Sequence, residues 1–184
     1  MRVLFTMDKK DYDPAGSRFV RPSARAVIPR GNGLLLLIRD GRHGYYKFPG
    51  GGIDAGETPE EALIREVREE AGRDVIPESI RPYGRVRRLE KGHREEIFEQ
   101  ENYYFFCRVR DEEHPLRLDD YEREDGFTPV EMDPAEAAEA NRAFLAGDVP
   151  EKCRREAERE ARVLELLLRE GSLGPGAGES SMGL

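Results

Sequence analysis

Between Phe48 and Gly72 the chain leaves itself little conformational choice. Three consecutive glycines, Gly50–Gly52, precede Thr58-Pro59-Glu60-Glu61, and the run then continues Ala62-Leu63-Ile64-Arg65-Glu66-Val67-Arg68-Glu69-Glu70-Ala71-Gly72. Thr58 can cap a helix, Pro59 suits its first position, and Glu61, three residues after the cap, completes a capping box. Gly72 supplies the stop, because glycine accepts the left-handed conformation in which helices end. A helix over Thr58–Ala71 is predicted. Whatever folds around it must accommodate a rigid rod fed by a loop of bare backbone.

At about 100° per residue, Leu63, Ile64, Val67 and Ala71 share one apolar face, and Glu66, Glu69 and Glu70 form a patch beside it. Glu66 and Glu70 are one turn apart, so their carboxylates can reach a common spot, and like charges at that spacing repel in an isolated helix. An acidic stripe is most simply a solvated face. Three features lower that reading here. The acids adjoin the buried face, seven acids stand against two arginines between Asp54 and Glu70, and the glycine loop directly precedes them. Hard cations take oxygen ligands, and Mg²⁺ combines one or two carboxylates with waters and substrate phosphates. The pattern therefore points to a Mg²⁺ or Mn²⁺ site serving phosphate chemistry.

The remaining sequence is consistent with one domain over residues 1–170 and a Gly/Ser-rich flexible tail over 171–184. The 184 residues suit a single domain. No apolar run approaches the length of a membrane helix, the N-terminus lacks a secretory pattern, and the two cysteines, Cys107 and Cys153, make no disulfide framework. A reducing cytoplasm is expected. The net charge of −8 makes a nucleic-acid partner unlikely on balance, despite the basic stretch Arg81–Arg94. Ala24–Ile28 and Leu34–Arg39 read as paired strands joined at Asn32-Gly33. Further strands are expected near Arg81–Leu89, Asn102–Val109 and Phe127–Met132, with helices over Pro134–Leu145 and Glu151–Arg169. The last of these reads as a salt-bridged surface helix with an apolar docking end. Val3–Phe5 could form an edge strand, and with the last helix could supply a homodimer contact. The order implies an α/β (α+β) fold, with a mixed β-sheet between helices. No histidine has Cys or His partners at zinc spacing, and no serine sits on a nucleophile turn.

The spacing from Gly51 through Glu57, Arg65-Glu66-Val67 and Glu69-Glu70 to Gly72 resembles the Nudix hydrolase box, preceded by the Phe48-Pro49-Gly50 lead-in that the family often carries. The final, normally aliphatic position is Arg73 here. The resemblance implies a Nudix-like α/β/α sandwich and hydrolysis of a nucleoside diphosphate linked to another group X. It implies Glu66, Glu70, Glu69 and the Gly51 carbonyl as metal donors. It implies catalytic roles for Glu66 and Glu69, with Arg65 orienting the acids and Glu57 fixing the loop. A further acid outside the box would come from Glu95, Glu96 or Glu99, or from Asp119, Asp120, Glu122 or Glu124.

Substrate contacts are less legible. Tyr46 could stack on a base and Lys47 could meet a phosphate, although a core tyrosine and a snorkelling lysine are equally simple readings. Arg25 and Arg39 are further phosphate candidates. No subfamily cue separates a nucleotide sugar or ADP-ribose-like substrate from a (d)NTP. The competing reading is a nucleotide-binding sensor that keeps the fold without turnover. The five intact box residues Glu57, Arg65, Glu66, Glu69 and Glu70 argue against it.

Overall fold

The computed structural model describes residues 1–173, so the expected tail lies almost wholly outside the described residues. Seven strands and four helices follow in the order β1 (Val3–Asp8), β2 (Arg18–Val27), β3 (Leu35–Arg39), β4 (Tyr46–Lys47), α1 (Pro59–Ala71), β5 (Arg81–Lys91), β6 (Ile97–Phe106), α2 (Asp120–Glu124), β7 (Thr128–Met132), α3 (Pro134–Leu145) and α4 (Glu151–Glu170). The strands form a mixed four-stranded sheet ordered β1-β5-β6-β2 and a three-stranded sheet ordered β4-β3-β7.

The helix α1 starts as predicted. Thr58 Oγ1 accepts the Glu61 amide at 3.2 Å, the Glu61 carboxylate accepts the Thr58 amide at 2.8 Å, and Gly72 ends the helix with φ 62°. The expected hairpin does not form. Asn32 does turn with φ 60°, but β2 runs parallel to β6 while β3 pairs with β4 and β7. Only a bridge from Pro29 to Leu35 links the two segments. The turn is thus a corner between sheets, which lets each strand find a partner distant in sequence.

Alternation along the strands builds two cores. On β3, Leu36 and Ile38 pack with Ala24, Ala26, Ile28 and the apolar face of α1, including Leu63 and Val67. Leu35 and Leu37 point the other way, to Val27, Tyr104 and the Val163, Leu164 and Leu167 stripe of α4. Each such aliphatic side chain stabilises the fold by about 1.5–3 kcal/mol when fully buried. Helices therefore cover both sides of the β-structure, as the α/β/α reading expects. No helix among the described residues is long and apolar enough to cross a membrane.

Two strands differ in extent from their expected bounds. β2 begins at Arg18 and β6 at Ile97, so Glu99 lies inside a strand and not in a loop. Asp120–Glu124 forms the short helix α2. β1 takes the sheet edge expected of it, pairing in parallel with β5.

Candidate functional site

The glycine loop lies along the edge strand β2. The Ala24 amide donates to the Gly51 carbonyl at 3.0 Å, and the Ala26 amide to Pro49 at 2.8 Å. This brings the start of the box against a cavity of about 690 Å³ whose lining includes Gly50–Gly52, Arg65, Glu66 and Glu69. A Cβ on Gly51 would meet the Glu66 carboxylate, which in this arrangement rests directly on glycine backbone.

Arg65 organises the acids. Its Nε and Nη2 donate to the two oxygens of Glu57 at 2.9 and 2.8 Å, and its Nη1 donates to Glu66 Oε1 at 2.7 Å and reaches Glu69 Oε2 at 3.4 Å. Nη2 also donates to the Gly52 carbonyl at 3.0 Å, tying helix to loop. The hydrogen bonds from Arg65 hold the Glu57 carboxyl below its usual range. Burial pushes Glu66 upward, against the pull of Arg65.

Glu70 has a different environment. It is 2 % exposed and does not line the cavity. Its oxygens accept Lys47 Nζ at 2.9 Å and the Gly50 amide at 2.7 Å. Burial pushes its carboxyl up to about 7, although Lys47 and Arg25 oppose the shift. Lys47 itself is buried, with Nζ 3.9 Å from the centre of the Phe127 ring.

The other candidates separate clearly. Arg25 lines the cavity and donates to the Gly50 carbonyl. Tyr46 packs against the α3–α4 core and exchanges backbone hydrogen bonds with the Asn141 side chain, each 2.8 Å. Arg39 is exposed at the end of β3 and is absent from the cavity lining. Of the seven acids outside the box, Asp119 and Glu122 line the cavity. Glu122 is already engaged by the Asp119 amide at 2.8 Å and the Tyr121 hydroxyl at 2.9 Å. Glu99 is on the opposite face of the sheet, bound by Arg18 and Arg87.

The expected set omits several residues of the cavity wall. Tyr45 lines the cavity instead of Tyr46, and its hydroxyl donates to Glu156 Oε2 at 2.7 Å. Glu156 also lines the cavity, with Arg159 Nη2 3.3 Å from its Oε1. Burial would raise the Glu156 carboxyl, but Lys47, Arg159, Arg25 and the Tyr45 hydroxyl outweigh it and hold the group well below the usual range. Tyr121, half exposed, places its ring 4.9 Å from Lys152 Nζ at the same wall. A charged helix alone carried no signal that these side chains would converge with the box.

The acids of α1 fit a hard divalent cation. Glu66 and Glu69 present carboxylate oxygens to the cavity and share one guanidinium, which leaves negative charge over. Glu70 could join them only by releasing Lys47, and the Gly51 carbonyl already accepts one amide. Among the described residues, three ligand atoms converge within 4.8 Å at Asp40, His43 and Asp125 instead. There Asp40 holds His43 Nδ1 at 3.0 and 3.1 Å within the loop that joins β3 to β4.

A family model described as NUDIX domain matches residues 20–167. A protein named RNA pyrophosphohydrolase from Xanthomonas oryzae pv. oryzae (strain MAFF 311018) is 32% identical over 117 residues, covering 58% of this chain and 55% of that one. A protein of the same name from Acinetobacter baylyi is 43% identical over 60 residues, 33% of this chain and 35% of that one. The chain spans about half the length of the first of these relatives and a third of the second. The crystal structure of a MutT mutator protein from Bacillus halodurans superposes with TM-score 0.51 at 21% identity, covering 65% of this chain and 72% of that one. The structure of a protein titled ADP compounds hydrolase gives TM-score 0.51 at 21% identity over 82% and 75% of the two chains. These two likenesses concern the fold.

Proposed function

Because the chain belongs to the Nudix family, we propose that it is a pyrophosphohydrolase that cleaves the diphosphate linkage of a nucleoside diphosphate joined to another group X. The observation that carries this reading is the set of Glu66 and Glu69 on the cavity wall, locked to the glycine loop by Arg65 and Glu57. A divalent cation held there, Mg²⁺ or Mn²⁺, would neutralise the diphosphate and acidify an attacking water. Glu66 is the firmer donor, seated on Gly51. Glu69 is more open, its side chain a third exposed with a single long contact to Arg65, and is suited to take the water's proton at a carboxylate oxygen. Lys47 and Arg25 keep positive charge next to the same wall, which favours a phosphate at the cavity. Both cysteines are free and buried, in keeping with a reducing cytoplasm.

The names of the relatives favour a narrower second reading, in which the diphosphate belongs to the 5′ end of an RNA. With Mg²⁺, the monophosphate products of ADP-ribose and nucleotide sugars would be measured as phosphate freed by a coupled phosphatase, and the pyrophosphate released from (d)NTPs and a 5′-triphosphate oligoribonucleotide would be measured directly. The measurement is repeated with EDTA and with Glu66→Gln. Turnover of at least one compound, abolished by EDTA and cut by several orders of magnitude in the variant, is expected. Nucleotide binding without turnover of any compound would instead make the protein a sensor.

A further inference from the structure

The two faces of the four-stranded sheet handle charge differently. On one face arginines meet acids across strands: Arg87 Nε donates to Glu99 Oε1 at 2.9 Å and Arg85 Nη1 to Glu101 Oε1 at 3.0 Å. On the cavity face the register places Arg21 of β2 and Arg88 of β5 on either side of Gln100 of β6. All three line the cavity. The row is Arg–Gln–Arg, with a neutral amide where the other face carries a carboxylate.

This row is under-compensated. Arg21 makes no ion pair among the described residues and lies beside Gly52, at the start of the box. Arg88 Nε and Gln100 Oε1 are buried and have no hydrogen-bond partner. The nearest acid, Glu90, is shared: its Oε2 is 2.6 Å from Arg155 Nη1 and 3.5 Å from Lys9 Nζ, and its Oε1 is 3.5 Å from Arg88 Nη2. Burial lowers Arg88 to about 10, as expected of a guanidinium without enough anion nearby. The lining as a whole carries nine cationic side chains against seven acidic ones, in a chain of net charge −8. Most of these acids lie in or beside α1 and α2; Glu156 of α4 adjoins Arg155 but is engaged by the Tyr45 hydroxyl and Arg159.

Resting on the hydrolase reading above, we propose that Arg21, Gln100 and Arg88, backed by Arg155, form a second anion subsite that selects substrates carrying a further phosphate beyond the diphosphate that is cleaved. Guanidinium forks match phosphate oxygens in pairs. Two inter-strand spacings separate Arg21 from Arg88, about 10 Å, so the row leads from the glycine loop away from the box acids. A substrate would thus be held at both ends: its diphosphate at α1 and its additional phosphate on the sheet.

The test has two readouts. Binding of inorganic pyrophosphate in the presence of EDTA, followed by calorimetry, is expected to weaken about tenfold in Arg88→Gln. Arg21→Gln, at an exposed position, is expected to weaken it in the same direction and guards against a folding defect at Arg88. In parallel, kcat/KM with Mg²⁺ is compared for two pairs: ADP-ribose with its 1″-phosphate, which adds one phosphate, and ATP with a 5′-triphosphate dinucleotide, which adds one phosphodiester-linked nucleoside. The wild type should prefer the more phosphorylated member of at least one pair, and Arg88→Gln should erase that preference. The first pair reports a phosphomonoester as the natural anion, the second the phosphodiester of an RNA end. Unchanged pyrophosphate binding in both variants, or a preference that survives them, overturns the subsite. If no compound is turned over yet pyrophosphate binding still depends on Arg88, the hydrolase reading fails and the subsite stands.

Discussion

Glu70 and Lys47 show how a motif acid can be held in reserve. A carboxylate that is 2 % exposed would ordinarily be too costly to ionise, and the Lys47 ammonium at 2.9 Å and the Gly50 amide at 2.7 Å are what make its charge tolerable. The native pKa of about 7 lies above the ordinary 4.5. The stability that Glu70 contributes is therefore complete below about pH 4.5 and is lost as pH rises through 7. Lys47→Met removes the attraction and pushes the carboxyl still higher. The variant should be close to wild type in urea at pH 5, and at pH 8 should lose about 1.4 kcal/mol, because the wild-type carboxyl ionises there and the variant's stays neutral. Equal losses at the two pH values would show that Glu70 titrates as an exposed acid. The residue scale also shows where sequence reading stops: Arg65 and Glu57 are joined by two hydrogen bonds that their spacing alone did not specify. Tyr46 and Tyr45 are adjacent and chemically alike, and only the strand pairing of Tyr46 with Arg39 decides which ring faces the cavity.

At the scale of elements, α1 was legible because its signals are local. Cap, capping box, first-turn proline and terminal glycine all lie within the helix or next to it, and each acts on backbone groups a few residues away. Thr58→Ala removes the acceptor for the Glu61 amide and should cost about 1 kcal/mol, seen as a fall in melting temperature of about 2–4 °C. Activity at 25 °C should persist, since Arg65 still ties the helix to Glu57 and Gly52. A loss of activity well beyond the loss of folded protein would mean that the cap itself positions the acids. The strands were less legible, for a physical reason. β2 and β6 begin with residues such as Arg18, Arg21, Glu99 and Glu101, whose alternation serves cross-strand ion pairs on one face and a polar cavity on the other. Hydrophobic periodicity is silent there. The corner after Ile28 failed as a hairpin for a similar reason, because a turn dipeptide specifies the turn but not the partners of the strands leaving it.

The whole molecule decides what α4 does. Its first half reads as a solvated charged helix, yet Arg159 and Glu160 are fully buried and Glu156 reaches the cavity. The apolar stripe Val163, Leu164 and Leu167 docks the helix, and docking carries the preceding two turns over the sheet, where their charges must find partners. They find them across the fold: Glu160 accepts Arg159 Nε at 3.0 Å and approaches the Tyr104 hydroxyl at 3.3 Å, while Arg159 Nε lies 3.1 Å from that same hydroxyl. No sequence window contains both Tyr104 and Glu160, so this part of the site was out of reach of local reading. The network makes a strong claim on stability. Glu160→Gln leaves Arg159 buried with its principal counter-charge gone and should cost about 3–5 kcal/mol in urea unfolding. Tyr104→Phe removes only a hydroxyl from the same group and should cost about 1 kcal/mol. Because the three side chains share their partners, the double variant should lose less than the two single losses added together. Strict additivity would instead mean that the Glu160 carboxylate and the Tyr104 hydroxyl act on Arg159 independently, α4 and the sheet beneath it contributing to the charge of the cavity wall without coupling.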